Sequence, residues 1–320
     1  MGSFRKLVLS LALFWGTISG AQQTVPVTIL SRSSSQLPEF DSSNFAASSK
    51  GKIIQVSSVA HAVEPGRVIV LLDVSYSMLG TTTSADWNFP IDLARVLFIK
   101  MPPEVEVGLS VFATELGRGV GLTSDREKVI DELEDIRKVG MKFGDGETSV
   151  WDSIIAGAKL FARPRVGDSL YLISDGIDTM SKASFRDVVQ ALDCRGIRLF
   201  AFQLADRRKT DRSITTASTA AHRQLLELTQ DTGGVVASAL RPSSAMSPTW
   251  DFVDKSGQPT ELTTSLFAQY RVMLSVYDVG IELSERLYKP QDFNLELKGI
   301  DSARKSDLVI VYPKKLVPCY

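Results

Sequence analysis

One stretch of the chain, residues 68–77, combines a solid apolar run with a regular polar ending. Five apolar residues at 68–72 lead directly into Asp73, and hydroxyls follow at alternate positions, Ser75 and Ser77. A short continuous apolar run of this kind indicates a strand that is buried on both faces, as in the middle of a parallel sheet. Ligands bind at the carboxyl ends of strands in open α/β sheets. We therefore expect the three polar side chains to lie at a binding edge.

Apolar runs and helical patterns alternate from residue 67 to residue 240. Besides the first strand, the segments with strand character are 105–113, 117–122, 169–173, 197–204 and 235–238. The segments with helical periodicity or caps are 91–100, 125–139, 150–162, 184–194 and 220–229, with Pro90 suited to a first turn. This alternation predicts an α/β fold, a doubly wound and mostly parallel six-stranded sheet with helices on both faces.

The segments on either side of this region differ from it. Two strand-like pieces, 24–30 and 53–59, flank a Ser-rich stretch at 31–50 that is typical of a linker. After the α/β region, a Pro/Ser-rich linker covers 242–258, and strand-like segments follow at 266–277, 292–298 and 308–312. We hypothesise that the flanking strands pair with each other, and that the α/β region folds without residues 246–320.

The first residues have the pattern of a targeting segment. Arg5 and Lys6 precede an apolar run at 7–18, which is too short to span a bilayer comfortably, and small residues end at Ala21. This pattern predicts a signal peptide cleaved after Ala21 and a secreted or periplasmic protein, with an uncleaved membrane anchor as the alternative. No later stretch is long enough to span a membrane. The predicted parts are a signal peptide at 1–21, strands and a Ser-rich linker at 22–66, an α/β domain at 67–240, and a linker with a small β-rich element at 241–320.

The net charge bears on the class of partner, and the two cysteines bear on disulfide formation. The chain carries a net charge of −1, and loss of the signal peptide would remove two cations and leave −3. This balance favours neither nucleic acid nor an anionic membrane surface as a partner. Cys194 and Cys319 are the only cysteines. An exported chain can pair them, but sequence alone leaves a disulfide and two buried thiols both open.

Three predicted loops bring oxygen-bearing side chains to one edge of the sheet. Alternation along the first strand puts Asp73, Ser75 and Ser77 on one side. Thr148 lies in a Gly-rich loop before a helix, and Asp175 follows another strand. Carboxylates and hydroxyls are hard donors that suit Mg²⁺, whereas zinc would require His or Cys. The alternative is that these residues are ordinary caps and turns.

These residues resemble the motifs of one known family. The segment at 73–77 resembles the Asp-x-Ser-x-Ser motif of von Willebrand factor type A domains, and Thr148 and Asp175 resemble the second-loop threonine and third-loop aspartate of that family. The resemblance covers residues 67–240. The chain resembles in particular bacterial exported proteins that are related to these domains. The segment after the core of those proteins resembles residues 270–274 of this chain.

The resemblance implies a metal-ion-dependent adhesion site. Ser75 and Ser77 would bind the metal directly, and Asp73, Thr148 and Asp175 would bind it directly or through water. The metal would be Mg²⁺, with Mn²⁺ as a substitute, and its open position would take a Glu or Asp side chain from a partner protein. Tyr76 stands where glycine is common in the family, and it faces away from the metal if the alternation holds.

Other functions receive less support from the residues. A phosphotransferase or phosphatase with Asp73 as nucleophile would need an acid at position 75, where this chain has serine. The Gly-x-Ser-x-Gly elbow of serine hydrolases and a Gly-x-Gly-x-x-Gly after the first strand are both missing from the sequence. Of the two histidines, His61 precedes the α/β region, and we interpret His222, near a predicted helix start, as a solvent-facing or capping residue. We expect a binding module and not an enzyme, with a metal-free scaffold as the alternative.

Three acidic residues near the predicted site match no ligand position. We interpret Asp145 and Asp178 as residues that solvate their loops. Glu147 has the chemistry to compete for the open coordination position, and the sequence leaves that question open.

Overall fold

The computed structural model describes residues 21–62, 64, 66–79, 84–139, 147–205, 212–240 and 261–319. The predicted signal peptide before Ala21, Asp145 and the linker at 242–258 lie outside these residues. Within the described ranges, no helix is long and apolar enough to cross a membrane.

Two six-stranded sheets and a two-stranded ribbon make up the described β-structure. In chain order the strands are β1 (Ala21–Ser31), β2 (Phe45–Ser49), β3 (Lys52–His61), β4 (Val68–Asp73), β5 (Val107–Phe112), β6 (Leu116–Thr123), β7 (Ser169–Ser174), β8 (Arg198–Ala205), β9 (Val236–Leu240), β10 (Tyr277–Leu283), β11 (Gln291–Asp292), β12 (Asn294–Leu297), β13 (Leu308–Val311) and β14 (Lys315–Leu316). The α-helices are α1 (Tyr76–Leu79), α2 (Ser84–Lys100), α3 (Arg126–Val139), α4 (Val150–Lys159), α5 (Phe185–Asp193), α6 (Arg212–Asp231), α7 (Glu261–Leu274) and α8 (Ser302–Asp307).

The central sheet has the strand order β6-β5-β4-β7-β8-β9. All neighbours are parallel except β6, which runs antiparallel to β5 at one edge. This arrangement confirms the predicted α/β fold and its mostly parallel six-stranded sheet. The organising strand, β4, lies between β5 and β7 and is buried at every position, as its unbroken apolar run predicts.

Residues of β4 alternate between two cores, one on each face of the sheet. Val68, Val70 and Leu72 pack in a cluster with residues of α2, α3 and α7. Ile69 and Leu71 pack in a second cluster with residues of α4, α5 and α6. Helices therefore cover both faces, as predicted. Helix α2 begins earlier than predicted, and Pro90 lies inside it and not in its first turn.

The second six-stranded sheet joins the two ends of the described chain. Its order is β12-β2-β3-β10-β1-β13, and its pairs are antiparallel. Strand β10 lies between β1 and β3, so a carboxyl-terminal strand fills the space between two amino-terminal ones. This confirms the hypothesis that the strands flanking the α/β region pair with each other.

The segment at 266–277 was predicted as a strand, and that prediction is wrong for most of its length. Helix α7 occupies it up to Leu274, and β10 starts only at Tyr277. The buried positions are Leu266, Gln269, Val272 and Met273. The intervals from 266 to 269, from 269 to 272 and from 269 to 273 are three or four residues, so these side chains lie on one helix face. The face includes a buried glutamine, which interrupts the apolar pattern in the sequence.

A buried arginine ties α7 and the second sheet to the central sheet. Arg198, at the start of β8, is fully buried. It donates to the carbonyl oxygens of Val272 at 2.9 Å and Met273 at 2.6 Å, and to Thr28 Oγ1 at 3.0 Å. Burial lowers the pKa of Arg198 to about 9, and nearby Asp168 opposes that lowering. The guanidinium thus satisfies carbonyls at the end of α7 that have no partner within the helix.

Cys194 and Cys319 form a disulfide with a Cα–Cα distance of 5.3 Å. It links the residue after α5 to the carboxyl-terminal segment, across 125 positions of sequence. The structure therefore decides a question that the sequence left open, in favour of pairing.

Candidate functional site

The first loop of the candidate site follows β4 directly. Asp73 and Ser75 are both fully buried. The backbone N–H of Ser75 donates to Asp73 Oδ1 at 2.9 Å, and the hydroxyls of Ser75 and Ser77 lie 3.1 Å apart. Tyr76, between the two serines, is 52% exposed. The loop thus turns its carboxylate and hydroxyls inward and its tyrosine outward. The predicted orientation of Tyr76 is present, but the extended alternation assumed for it is not, because Tyr76 and Ser77 lie in the helical turn α1.

The second loop of the site carries Thr148 and lies beside the third loop, which follows β7. The N–H of Ser149 donates to the carbonyl of Ala113, just beyond β5, at 2.8 Å. The N–H of Thr148 donates to Thr179 Oγ1 at 2.9 Å, and the N–H of Thr179 donates back to the carbonyl of Thr148 at 2.9 Å. Thr148 is buried. This reciprocal pair holds the second and third loops together.

The third loop contacts the first through Ser174, a residue that the sequence analysis missed. Its hydroxyl donates to Asp73 Oδ2 at 2.6 Å and accepts from the N–H of Gly176 at 2.8 Å. Gly176 has a φ of +77°, and a Cβ there would lie 2.6 Å from a side-chain carbon of Leu225. Any other residue would be strained at this φ and would push the Leu225 side chain aside, so the turn favours glycine. The sequence signal was present, because Ser174 ends a buried strand one residue before Asp175.

Asp73 and Asp175 create an electrostatic imbalance at this edge. Burial and, after it, the charge of Asp175 raise the pKa of Asp73 to about 7, against the opposing effect of hydrogen bonds from Ser174 and Ser75. The N–H of Ile177 donates to Asp175 Oδ1 at 3.0 Å. The hydrogen bonds to Asp73 come from the neutral groups of Ser75 and Ser174, so a cation placed beside Asp73 would lower the free energy of its charged form.

A second layer of side chains supports the third loop from behind. Gln203 Nε2 donates to the carbonyls of Asp175 and Ser218, each at 3.1 Å. His222 Nδ1 lies 2.7 Å from Gln203 Oε1 and donates to it. His222 therefore lies within α6 and orients Gln203, and the predicted solvent-facing or capping role for it is wrong.

Asp178 has a specific structural role and does not merely solvate its loop. Its Oδ1 accepts from the N–H of Val150 at 2.7 Å and from the hydroxyl of Ser181 at 2.5 Å. An aspartate from the third loop thus caps the first turn of α4. Glu147, before Thr148, is exposed.

The five predicted residues, Asp73, Ser75, Ser77, Thr148 and Asp175, all lie at the carboxyl edge of the central sheet. Contacts join the first loop to the third and the third to the second. Their donor set is two carboxylates and three hydroxyls, which are hard oxygens that fit Mg²⁺. Among the described residues, no three His, Cys, Asp or Glu side chains group into a metal cluster. A metal here would depend on the hydroxyls.

Comparisons with known proteins agree with this architecture. The family model of the von Willebrand factor type A domain matches residues 68–233, and no curated protein is a significant match. One similar solved structure is the conserved hypothetical protein BatB from Bacteroides thetaiotaomicron, with 20% identity, a TM-score of 0.42, and coverage of 56% of this chain and 93% of that one.

Two further solved structures are similar at the same low level. An aerotolerance-related membrane protein from Bacteroides fragilis has 20% identity, a TM-score of 0.44, and coverage of 65% and 98% of the two chains. The ArnB paralog VWA2 from Sulfolobus acidocaldarius has 14% identity, a TM-score of 0.41, and coverage of 93% and 76%. The family model spans just over half of the 320 residues, and the chain belongs to the von Willebrand factor type A domain family.

Proposed function

We propose that this chain is an exported protein-binding module that uses Mg²⁺ to bridge to an acidic side chain of a partner. Ser75 and Ser77 would hold the metal directly, and Asp73, Thr148 and Asp175 would hold it directly or through water. The metal would supply a positive charge with one open position, which a Glu or Asp of the partner fills. Mn²⁺ would substitute for Mg²⁺.

The observation that carries this proposal is the pair of buried carboxylates, Asp73 and Asp175. The pKa of Asp73 is raised to about 7 by burial and by Asp175, so the metal-free loops hold negative charge at a cost to stability. Three hydroxyls complete the donor set, and because they are neutral the bound cation would keep enough positive charge to attract a further carboxylate.

Two exposed side chains flank the position that the partner would approach. Tyr76 is 52% exposed and Met180 is 48% exposed. Tyr76 lies between the two serines, and the N–H of Met180 donates to the carbonyl of Thr148 at 3.1 Å. These side chains would contact apolar groups beside the partner's carboxylate and contribute to affinity.

The enzymatic alternative, a phosphotransferase or phosphatase with Asp73 as nucleophile, has weaker support. The residue two positions on is Ser75, whose backbone orients Asp73 through the N–H to Oδ1 bond. Asp73 is also fully buried, which hinders in-line attack on a phosphate. The second alternative, a metal-free scaffold, would use the same loops without a cation.

Export rests on the predicted signal peptide and is supported by the disulfide. Cys194 and Cys319 are paired, and such bonds persist in oxidising compartments and are rare in the cytosol. We therefore place the protein outside the cytoplasmic membrane, secreted or periplasmic, with cleavage after Ala21.

Titration calorimetry with Mg²⁺ and Mn²⁺ tests the proposal. We expect wild type to bind, and Asp73→Ala and Ser75→Ala to fold and not bind. Asp131→Ala and Ser124→Ala are matched controls at exposed positions outside the site, and they should bind like wild type. Equal binding by all variants would place the metal elsewhere and overturn the assignment.

A pull-down with and without chelator then separates the alternatives. Loss of the captured partner on chelation, and in Asp73→Ala, supports bridging through the metal. A partner retained under both conditions would favour the metal-free scaffold. Release of phosphate from an aryl phosphate, abolished by Asp73→Ala, would favour the enzyme.

A further inference from the structure

One edge of the second sheet combines exposed apolar side chains with a concentration of positive charge. A cavity of about 310 Å³ opens there between the β2–β3 hairpin and the loop after β10. We call this surface the basic edge and define it by six of its lining residues: Lys50, Lys52, Ile53, Arg286, Tyr288 and Lys289.

Backbone geometry fixes the hairpin side of the basic edge. Lys50 and Gly51 both have positive φ, +49° and +75°, and Ser49 pairs with Lys52 across them. Two central residues of this kind form the tight turn that suits a two-residue hairpin. Ile53 follows immediately in β3, so three of the six side chains lie within four residues of a rigid turn.

Strand pairing brings the other side of the basic edge to the same place. Glu282 of β10 pairs with Gln55 of β3, and Leu283 then leads into the loop with Arg286, Tyr288 and Lys289. Leu283 also pairs with Ala21, the first residue of β1. Leu283 lines the cavity, so the first residue of β1 lies beside the cavity wall.

The lining of the cavity has four cations and one carboxylate, in a chain whose net charge is −1. The carboxylate, Glu285, lies 3.6 Å from Lys52, and both side chains are more than 70% exposed. The nearby Asp292 is bound by Lys315 at 2.5 Å. The fold thus brings Lys50 and Lys52 to one surface with Lys289, a grouping that no run of basic residues in the sequence reveals.

Two large apolar side chains project beside these cations. Ile53 is 91% exposed and Tyr288 is 78% exposed, whereas Ile54, the next residue in β3, is buried in the core of the second sheet. Exposed apolar groups rimmed by polar residues mark interaction surfaces. Tyrosine with lysine and arginine is the combination typical of protein surfaces at a membrane interface, where the stems lie in the headgroup layer and the charges reach phosphates.

We propose that the basic edge docks onto an anionic bilayer surface. Lys50, Lys52 and Lys289 would contact lipid phosphates, and Ile53 and Tyr288 would enter the headgroup region. The combination of exposed apolar side chains with cations favours a bilayer over a soluble anion, because a bilayer offers a headgroup region to the first and phosphates to the second. This docking is independent of the metal site and requires no span.

Co-sedimentation with phosphatidylcholine vesicles, with and without phosphatidylglycerol, tests the proposal. The protein is used as the producing cell releases it, so all variants share one amino terminus. We expect binding to anionic vesicles that weakens as salt is raised. Lys50→Glu/Lys289→Glu should weaken binding at least about tenfold, since each lysine near an anionic surface contributes about fivefold in partitioning. Ile53→Ser/Tyr288→Ser should remove the binding that persists at high salt.

Matched controls keep the fold and the total charge comparable. Lys128→Glu/Lys159→Glu reverses two exposed lysines of the α/β domain, and Ile99→Ser/Leu160→Ser replaces two exposed apolar residues there. Both should bind vesicles like wild type. Equal loss in the controls, or basic-edge variants that bind like wild type, would overturn the proposal. Binding to polyglutamate but not to vesicles, with the same dependence on the lysines, would show an acidic-peptide site instead.

Discussion

The two edges of the central sheet both bury charge, but they balance it differently. At the amino-terminal edge, Arg198 donates to the carbonyls of Val272 and Met273 at the end of α7. Beside it, Arg67 forms two hydrogen bonds with the carboxylate of Asp168, at 3.0 and 2.6 Å. Asp168 also opposes the lowering of the pKa of Arg198, so both arginines lie near a carboxylate that the chain itself supplies.

At the carboxyl-terminal edge, the described hydrogen-bond donors to Asp73 are neutral groups. Asp73 is fully buried, accepts from Ser75 and Ser174, and is repelled by Asp175. A charge that the fold itself balances reports on architecture, whereas a charge left uncompensated at a sheet edge reports on something the protein binds. The comparison therefore predicts that disrupting the amino-terminal edge costs stability, and disrupting the carboxyl-terminal edge costs binding.

Removal of residues 246–320 should have the largest effect. Helix α7 contributes Leu266, Val272 and Met273 to the core on one face of the sheet, and Arg198 would lose two carbonyl acceptors. We expect the truncated chain to lose cooperative unfolding, as followed by circular dichroism in urea. A truncated chain that unfolds cooperatively near the midpoint of the whole chain would instead support an independent α/β domain.

Arg198→Met should be the most damaging single substitution at the amino-terminal edge. It removes the donor to the Met273 carbonyl, whereas the Val272 carbonyl keeps the hydroxyl of Thr28. A buried acceptor left unsatisfied typically costs about 1–3 kcal/mol. Urea denaturation measures the loss, with Arg186→Met, at an exposed position of α5, as the control. Mg²⁺ affinity of the folded fraction should be unchanged. A loss of metal binding at unchanged stability would contradict the division between the edges.

The sequence predicted the elements whose buried residues are all apolar. Strand β4 is recognisable because five apolar residues precede Asp73, and the two cores follow from its alternation. Helix α7 was missed because Gln269 lies on its buried face, where it donates to the carbonyl of Ala201 at 2.7 Å and accepts from the hydroxyl of Tyr171 at 2.6 Å. A polar residue satisfied by distant strands is invisible to hydrophobic periodicity.

The sequence predicted the proposed metal ligands of the candidate site but not the residues that orient them. Asp73 and Asp175 each follow a buried strand, so the sheet alone places them. Ser174, Gln203 and His222 act through hydrogen bonds between elements that are remote in sequence, and no local pattern indicates such bonds. The basic edge was missed for a related reason, because its charges come from two segments more than 200 residues apart.

Asp73→Asn should raise the stability of the metal-free protein, whereas most substitutions of buried residues lower it. The pKa of Asp73 is raised from 3.8 to about 7, so the folded state binds the proton more tightly than the unfolded state. The group therefore destabilises the metal-free protein progressively as pH rises from about 4 to about 7, by on the order of 4 kcal/mol at about 1.36 kcal/mol per pKa unit. In chelator, the variant should match wild type at pH about 4 and exceed it at pH about 8.

Thermal unfolding at the two pH values, with chelator or Mg²⁺, measures this effect. Mg²⁺ should stabilise wild type mainly at the higher pH, where Asp73 is charged, and should not stabilise Asp73→Asn. Asp131→Asn, on the exposed face of α3, is the control and should behave like wild type. A variant less stable than wild type at both pH values would show that the Asp73 carboxylate is a structural element balanced within the fold, like the amino-terminal charges.

Gln203→Met should have the smallest effect and the most specific one. The Gln203 side chain is buried and donates to the backbone carbonyl of Asp175, so its loss leaves all five oxygen donors in place. Residues that orient metal ligands typically change affinity by about 10–100-fold, and one backbone contact places this variant at about tenfold. Calorimetry measures the change, with Gln230→Met, exposed in α6, as the control. If the stability of the variant falls and its Mg²⁺ affinity does not, metal binding does not require the hydrogen bond from Gln203 to the third loop. Metal binding would then depend on the two strand ends and their hydroxyls alone.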